Sequence, residues 1–482
     1  MYRILVNESR ILQRYFIVVL SLFFIFALVP YLPTLGWSRF NFQKILQILL
    51  LSFCFGAVLI CQFRAYLYHA NNCSLTTFTP IQLSIYALLI FFGFGLMSVI
   101  YSHDPSYVFM HWFHWILLAC LYIVSTALTS QRYLLALGCV FVCTFTILCL
   151  FSLLNIVFSV LSSDPLDPGR IYRGFPNIRF FNQVQAFIIP LLLGGLLFEQ
   201  TKRIAWLLLT LNLLLMVIGY GRGIFVSYIA LLVLLPVFFK RYFKLSLWGS
   251  AALALALVIY ALLKALAPAG IMTPDALLRE SQFGRIDGWL QVIHKFEVHT
   301  LFYGVGPGMY REAWGGGHSL ISHPHNSLIQ LIYEWGAVAA GIVLSAVICT
   351  LYFAVRAINA TDQTDKLLIT LLMMFVMALS YSMFSGVVVM PIPQTLMFIV
   401  WGMLIGRISL VNESSDFHEM AQIFDIRPFV RSLVAVITVV LLGLFYFYLS
   451  FAAELFLAQD PSGIQGIGPR FWQIGLRFSD LD

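Results

Sequence analysis

The residues from His323 to Ser327 carry the strongest chemical signal in the sequence. They read His-Pro-His-Asn-Ser and stand directly before an apolar segment that ends in Tyr-Glu-Trp-Gly. Pro324 disfavours helix at His323, and Asn326 or Ser327 can cap the helix that follows. His325 is therefore expected at the mouth of a membrane helix, where a neutral imidazole could take a proton from an acceptor hydroxyl.

The same histidines are open to two other interpretations. An interfacial histidine can simply cap or hydrogen-bond a helix end. The His-x-His spacing of His323 and His325 also suggests a metal site, but no nearby Asp, Cys or third His has convincing ligand spacing. From the residue types alone, catalysis and a structural role stay comparable, and a metal site is the least favoured of the three.

A second element, at residues 283–289, could bind an anion. It contains Arg285 and Asp287 and is followed by the glycine-rich sequence Gly-Val-Gly-Pro-Gly at 304–308. A guanidinium offers a planar fork of donors that suits phosphate oxygens, and glycines let backbone approach a ligand closely. Asp287 could instead be the partner of Arg285 in a purely structural pair, so both interpretations stay open.

A third element is the short glycine-flanked segment 219–223, which places Arg222 between two apolar runs. Such an arginine could snorkel to lipid headgroups, but the flanking glycines make a tight turn that a ligand can approach. Further cations and amides on the same predicted face are Arg170, Arg173, Arg179, Asn177 and Asn182. Together these residues predict a basic outer vestibule.

The composition decides which kind of fold must position these residues. Hydrophobic residues make up 61% of the 482 residues and charged residues only 10%, with a mean hydropathy of +0.91. Because a soluble fold needs about a quarter of its residues charged, we predict an all-α polytopic membrane protein. The net charge of +7 comes without a long Lys/Arg run, so nucleic acid is not an expected partner.

Since a membrane helix needs about 20 apolar residues, we predict about 12–13 transmembrane helices. The apolar run at 184–198 is short for a complete span and could be tilted or partly re-entrant. The candidate runs are 15–33, 45–62, 82–100, 108–128, 133–160, 184–198, 204–220, 223–239, 246–264, 328–355, 367–388, 394–409 and 431–450.

The positive-inside rule orients these runs. The arginines near the amino end predict that this end is cytoplasmic, and alternation then places two long connections outside, 161–183 and 265–327, the second with a helix at 275–298. The tail from about 451 also falls outside. The cations predicted inside are Arg3, Arg10, Arg14, Arg132, Lys202, Arg203, Lys240, Arg241, Lys244, Arg356, Lys366 and Arg407. Arginines in the outer segments break this rule, and anion binding is the natural explanation.

Several of these segments resemble a known superfamily. The segment from His325 to Gly336 resembles the His-Asn-x-x-Leu…Glu-x-Gly signature of the O-antigen ligase-like superfamily, which comprises O-antigen ligases, Wzy-type polymerases and protein O-oligosaccharyltransferases. The Gly-Arg-x-x-x-Trp sequence at 284–289, the glycines of 304–308 and the arginine of 219–223 are similar to its other motifs, as is Arg-Phe-Phe-Asn-Gln at 179–183. The resemblance covers roughly residues 165–410.

This resemblance implies a GT-C-like fold that moves a glycan from undecaprenyl diphosphate to an acceptor, without a metal, a nucleotide sugar or another cofactor. It implies that Arg222 and Arg285 hold the diphosphate and that His325 activates the acceptor hydroxyl. For such a reaction we predict a single displacement with inversion, because the sequence shows no well-placed carboxylate nucleophile. The candidate substrate-binding residues are His323, Asn326, Arg179, Arg173, Arg170 and Asp287.

Among the members, we favour an O-antigen ligase of the bacterial inner membrane, with its site facing the periplasm and a lipid A-core acceptor. A protein (pilin) O-oligosaccharyltransferase is second, because the tail at 451–482 is predicted to lie outside. A polymerase is third, and a transporter of lipid-linked glycan is the rival outside the enzymes. The predicted regions are 1–160 with the first helices, 161–410 with the ligase-like core, and 411–482 with the last helix and tail.

Overall fold

The computed structural model of this chain is helical throughout its regular secondary structure. Within the residues that it describes there is no β-strand, and eight helices are long and apolar enough to cross a membrane. The chain is therefore an all-α, multi-pass membrane protein, as its composition predicts. The described residues are 9–29, 32, 37–68, 80–164, 166, 171–172, 174–175, 178–267, 283–310, 323–360, 365–413, 427–457 and 471.

Fifteen α-helices follow one another along this part of the chain, with a 3₁₀ turn at Lys240–Tyr242 between α8 and α9. They are α1 Ser9–Leu28, α2 Arg39–Tyr68, α3 Pro80–Tyr101, α4 Pro105–Thr126, α5 Gln131–Ser162, α6 Ile178–Gly195, α7 Lys202–Ile218, α8 Arg222–Phe238, α9 Phe243–Leu266, α10 Phe283–His294, α11 Val298–Tyr303, α12 Ser327–Ala360, α13 Lys366–Ser382, α14 Pro391–Glu413 and α15 Arg427–Leu457.

Each of the thirteen predicted runs overlaps one helix, but only eight helices of the described residues are long and apolar enough to cross a membrane, so the predicted count of 12–13 stays a prediction. Two boundaries also differ. α6 begins at Ile178 instead of 184, so the polar residues before the apolar run belong to the helix. The helix predicted at 275–298 is divided, because α10 ends at His294 and α11 begins at Val298. Residues 268–282, which include the beginning of that prediction, lie outside the described residues.

The predicted inner-side cations and the histidines lie at opposite ends of the helix bundle. Arg407, in the last turns of α14, forms an ion pair with Asp365 in which Nε and Oδ2 are 2.7 Å apart. Arg241 donates to the carbonyl of Ile358, near the end of α12. Residues 323–326, which we call the histidine turn, precede the first residue of the same helix. The long helix α12 therefore separates the two groups.

A buried polar network joins α2, α4, α14 and α15. The Lys44 ammonium donates to Oε1 of Gln47 at 2.9 Å and lies 3.0 Å from Nε2 of His114. His114 Nδ1 is 2.9 Å from the hydroxyl of Tyr448, and Gln47 Nε2 donates to Oε1 of Gln394 at 3.0 Å. All five side chains are buried. Such a network fixes the relative positions of the helices, because each broken contact would leave a polar group in an apolar environment.

The helix that follows the histidine turn is kinked one-third of the way along its length. Gly336 has φ 84° and ψ 162°, which interrupts α12. The backbone N–H of Val305 donates to the carbonyl of Tyr333 at 2.9 Å, and that of Gly306 donates to the carbonyl of Glu334 at 3.0 Å. The segment after α11 therefore satisfies two carbonyls at the kink, which would otherwise be buried without partners.

The glycines of 304–308 let this segment approach other parts of the chain. Gly304, at φ 75°, lies against the backbone of α12. A Cβ at Gly306 would lie 2.7 Å from Val108, and a Cβ at Gly308 would lie 2.8 Å from Nε2 of His111. The close approach that these glycines were expected to offer a ligand is made here to α12 and α4. The segment thus positions the helix that carries the histidine turn.

We expect Gly336→Ala to lower the thermal stability of the protein. Its positive φ is strained for an L-residue by about 1–3 kcal/mol, and a Cβ would also collide with the carbonyl of Phe302. The matched control is Gly341→Ala in the same helix, where no atom lies within 4 Å of the new Cβ. Melting temperatures in detergent should fall for the first variant and stay level or rise slightly for the second. Equal melting temperatures would contradict this account of the kink.

Candidate functional site

The histidine turn holds its two imidazoles together. His323 is buried and His325 half-buried, and their ring centroids are 4.2 Å apart in an edge-on arrangement. The backbone N–H of His325 donates to Nδ1 of His323 at 3.3 Å. His325 has φ 56°, a conformation that is uncommon for a residue with a side chain, and backbone strain of this kind clusters at functional sites.

Asn326 caps the helix, as the sequence predicts. Its Oδ1 accepts hydrogen bonds from the backbone N–H groups of Leu328 and Ile329, each at 3.0 Å. This cap starts α12 immediately after the turn and fixes the direction in which the chain enters the helix. The predicted contact of Asn326 with substrate stays a prediction.

Two other segments hold the histidine turn in place. Trp289 of α10 donates from Nε1 to the carbonyl of Pro324 at 2.7 Å. Gly386 lies so close that a Cβ there would be 2.7 Å from Cε1 of His323. The backbone of α10 places position 285 four residues before Trp289, and therefore on the same helix face. The side chains of Arg285 and of Asp287 lie outside the described residues.

The second predicted element is the hairpin between α7 and α8. Arg222 is the first residue of α8 and is exposed. A Cβ at Gly221 would lie 2.8 Å from Nδ2 of Asn182 in α6, and a Cβ at Gly223 would lie 2.9 Å from Cβ of Phe384. The glycines therefore allow the hairpin to pack closely against α6 and against the chain that leaves α13. Arg222 stands between these two glycines, with its side chain exposed.

One short connection touches both predicted elements. Residues 383–390 link α13 to α14, and Phe384 in this connection contacts the Arg222 hairpin, whereas Gly386 contacts His323. Gln183 of α6 donates from Nε2 to the hydroxyl of Ser385 at 2.8 Å. The connection 383–390 therefore brings the histidine turn and the Arg222 hairpin to the same end of the bundle. The sequence alone does not predict this proximity, because the elements are a hundred residues apart.

The remaining predicted arginines have different positions. Arg179 lies in the first turn of α6, half-buried, and not in the connection where the sequence places it. It stands three residues before Asn182, which borders the Arg222 hairpin. Arg170 and Arg173 lie outside the described residues. Their contribution to the vestibule stays a prediction.

A cavity of about 370 Å³ opens beside the first turns of α12. Its walls come from α12, α13, α14 and Trp115 of α4, and they are mostly apolar. Three polar side chains of α12 line it, Ser327, Gln330 and Glu334. The sequence predicts Ser327 only as a helix cap and Glu334 only as part of a family-like motif, and it does not single out Gln330. Their spacing of three and four residues in an apolar run places all three on one helix face.

Two buried amides of α6, which the sequence predicts in the outer vestibule or in the motif at 179–183, lie inside the bundle. Oδ1 of Asn182 and Oε1 of Gln183 are buried and have no hydrogen-bond partner among the described residues. Both side chains lie next to the Arg222 hairpin or the 383–390 connection. Buried polar atoms without partners are rare in folded proteins and mark places where a ligand or water completes the bonding. The signal for them was two adjacent amides before an apolar run.

No protein-family model matches this chain, and no match was found among curated proteins. The described side chains form no group of three His, Cys, Asp or Glu residues that could hold a metal ion. The site offers imidazoles, a guanidinium and the cavity. An imidazole can accept a proton near neutral pH, a guanidinium can bind a phosphate, and an apolar cavity can take a hydrocarbon chain.

Proposed function

We propose that this protein transfers a glycan from undecaprenyl diphosphate to an acceptor hydroxyl, at the periplasmic face of the bacterial inner membrane. The observation that carries the proposal is the 383–390 connection, which contacts both the histidine turn and the Arg222 hairpin. The imidazole that we propose as the base and the guanidinium that we propose as the phosphate ligand thus belong to elements at one end of the bundle, next to an apolar cavity. The resemblance to the O-antigen ligase-like superfamily and to its GT-C-like fold points to the same chemistry.

In this proposal the acceptor hydroxyl attacks the anomeric carbon of the donor sugar. His325 takes the hydroxyl proton while the new carbon–oxygen bond forms. The bond between the anomeric carbon and the diphosphate oxygen breaks, and the electron pair leaves with the diphosphate. One displacement inverts the anomeric centre, and the protonated imidazole returns its proton to water.

The arginines stabilise the leaving group in the proposed reaction. Negative charge on the diphosphate rises as the bond breaks, and a guanidinium that binds the phosphate oxygens stabilises this charge. We propose this role for Arg222, the exposed first residue of α8. Position 285 lies on the face of α10 that contacts the histidine turn through Trp289, and we propose that Arg285 is the second diphosphate ligand.

The cavity beside α12 supports a lipid-linked donor. Its walls are apolar side chains of helices that are long and apolar enough to span a membrane, or that belong to the same bundle. A polyprenyl chain could occupy it with the diphosphate at the histidine turn. The acceptor that we propose first is the lipid A-core sugar, which makes the protein an O-antigen ligase.

Deletion of the gene is expected to separate the possible acceptors. An O-antigen ligase mutant should lose laddered lipopolysaccharide on gels while the mass of its pilin stays unchanged. The rough phenotype should be restored by the wild-type chain supplied in trans. Lipopolysaccharide with a single repeat unit would instead identify a polymerase, and a pilin that loses glycan mass would identify a protein O-oligosaccharyltransferase. Unchanged lipopolysaccharide and pilin would contradict the proposal.

One observation favours the protein O-oligosaccharyltransferase as the second candidate. Phe471, in the carboxy-terminal tail, packs over Lys44 with 4.3 Å between Nζ and the ring centroid. Its ring centroid is 5.3 Å from that of His111, and His111 contacts the segment 304–308 near the histidine turn. Phe471 therefore lies at the end of the bundle that carries the site. A tail on the outer side is similar to the protein-modifying branch.

A further inference from the structure

Three polar side chains form a stripe along one wall of the cavity. Ser327, Gln330 and Glu334 are three and four residues apart on α12, and all three line the cavity. Gln330 is 6% exposed and Glu334 is 2% exposed. The stripe begins two residues after His325 and continues towards the middle of the membrane. An ionisable side chain at such a place is unusual, and it indicates function more often than structure.

The hydrogen bonds within the stripe leave two oxygen atoms without partners. Nε2 of Gln330 donates to Oε2 of Glu334 at 3.3 Å. This bond orients the amide so that Oε1 of Gln330 is available, and no described residue donates to it. The hydroxyl of Ser327 is buried and has no partner among the described residues either. The top of the cavity thus offers one hydroxyl and one carbonyl oxygen to a ligand.

A polyprenyl chain cannot satisfy these two atoms, because it has neither donors nor acceptors. The Ser327 hydroxyl is buried, and a buried polar atom that stays without a partner destabilises a fold. A ligand group with hydroxyls would satisfy both at once, since a hydroxyl donates one hydrogen bond and accepts others. The sugar of a lipid-linked glycan that is bonded to the diphosphate is the nearest such group. Its anomeric carbon has to lie beside His325 for the proposed reaction.

We infer that Ser327 and Gln330 bind a hydroxyl of the carrier-proximal sugar, and that Glu334 positions the Gln330 amide. The inference rests on the proposed function and adds a determinant of donor specificity to it. Glu334 is fixed from behind, because its carbonyl accepts the Gly306 N–H next to the kink. The segment after α11 therefore helps to fix the position of Glu334 along the cavity. Through Glu334 it also fixes the position of the Gln330 side-chain carbonyl that would contact the sugar.

The test compares the affinities of defined lipids for the full chain in nanodiscs of phosphatidylethanolamine and phosphatidylglycerol. The probes are bare undecaprenyl diphosphate and the same lipid bearing N-acetylglucosamine, glucose or galactose. The wild type should bind at least one sugar-bearing lipid about tenfold more tightly than the bare lipid, the size expected for one or two uncharged hydrogen bonds. Gln330→Met, of similar length but without the carbonyl, should reduce this ratio to about one and leave the affinity for the bare lipid unchanged.

Variants on the same helix supply the controls. Leu331→Met changes an apolar residue of the same cavity wall and should keep the wild-type ratio. Glu334→Gln can still accept the hydrogen bond from Gln330, so it should keep most of the affinity ratio. Glu334→Leu cannot accept this bond, so its affinity ratio should fall to about one. This difference separates a positioning role from a merely structural one. Melting temperatures of all four variants show whether each protein is folded.

The outcomes distinguish the inference from the proposal on which it rests. A wild type that binds all the lipids equally, or a Gln330→Met variant with an unchanged ratio, would overturn the sugar contact alone. If Gln330→Met lost affinity for the bare lipid as well as for the sugar-bearing lipids, the sugar contact would also be overturned, because Gln330 would then bind the undecaprenyl diphosphate itself. Failure of the wild type to bind even bare undecaprenyl diphosphate would contradict the proposed function itself.

Discussion

Replacement of His325 by asparagine is expected to reduce glycan transfer by about 10²–10⁴-fold, which is the usual contribution of positioned proton transfer. Asparagine tolerates the positive φ of 56° at this position better than most residues do, so the histidine turn should keep its shape. Its amide cannot accept a proton near neutral pH. The rate of transfer from lipid-linked glycan should be measured in proteoliposomes with the full chain.

The control is His294→Asn, because His294 is exposed at the end of α10, outside the histidine turn. It should transfer glycan at the wild-type rate. The pair of variants also separates the enzyme from its rival, a transporter of lipid-linked glycan. Movement of the lipid-linked glycan across the vesicle membrane would survive His325→Asn, and glycan transfer would not. If His325→Asn transfers at the wild-type rate, His325 is not the base.

The positions of the membrane helices could be predicted from the sequence, because lipid imposes a simple local rule. Every spanning backbone must satisfy its own hydrogen bonds, so long apolar runs become helices whatever their neighbours are. The cap at Asn326 was predictable for a similar reason, since Leu328 and Ile329 offer the donors within three residues. Local chemistry is enough in both cases.

The start of α6 and the polar wall of the cavity could not be predicted in this way. Asn182 and Gln183 are polar, so the predicted apolar run begins only after them, at 184. In the structure they lie inside the bundle against the Arg222 hairpin and Ser385. Gln330 and Glu334 face α13 and α14 across the cavity. Tertiary packing decides which face of a helix contacts another helix. In a membrane helix that is apolar on all sides, the periodicity of the sequence does not predict this face.

The proximity of the histidine turn and the Arg222 hairpin could not be predicted from the sequence either. Phe384 and Gly386 carry no charge and no reactive group, so nothing in their types marks them as neighbours of a site. They matter because each packs closely against a candidate element. Phe384 lies against Gly223 of the Arg222 hairpin, and Gly386 lies against the ring of His323. The connection 383–390 has a spatial role that only the packed structure reveals.

The second large effect is expected at Arg222. We expect Arg222→Ala to reduce the transfer rate by about 10²–10³-fold, the range found when one donor to a developing oxyanion is removed. Arg222→Lys should recover only part of this rate, because an ammonium keeps the charge but lacks the planar fork that binds two phosphate oxygens. Arg222 is exposed at the start of α8, so neither substitution removes a buried contact.

The matched control for Arg222 is Arg203→Ala, which removes an exposed arginine from the beginning of α7, at the other end of the bundle. Its transfer rate and its affinity for bare undecaprenyl diphosphate should equal those of the wild type. Arg222→Ala should weaken that affinity less than it slows transfer, because the diphosphate gains charge only as the bond to the sugar breaks. Equal losses in binding and in rate would mean that Arg222 only holds the donor, and no loss in either would remove Arg222 from the site.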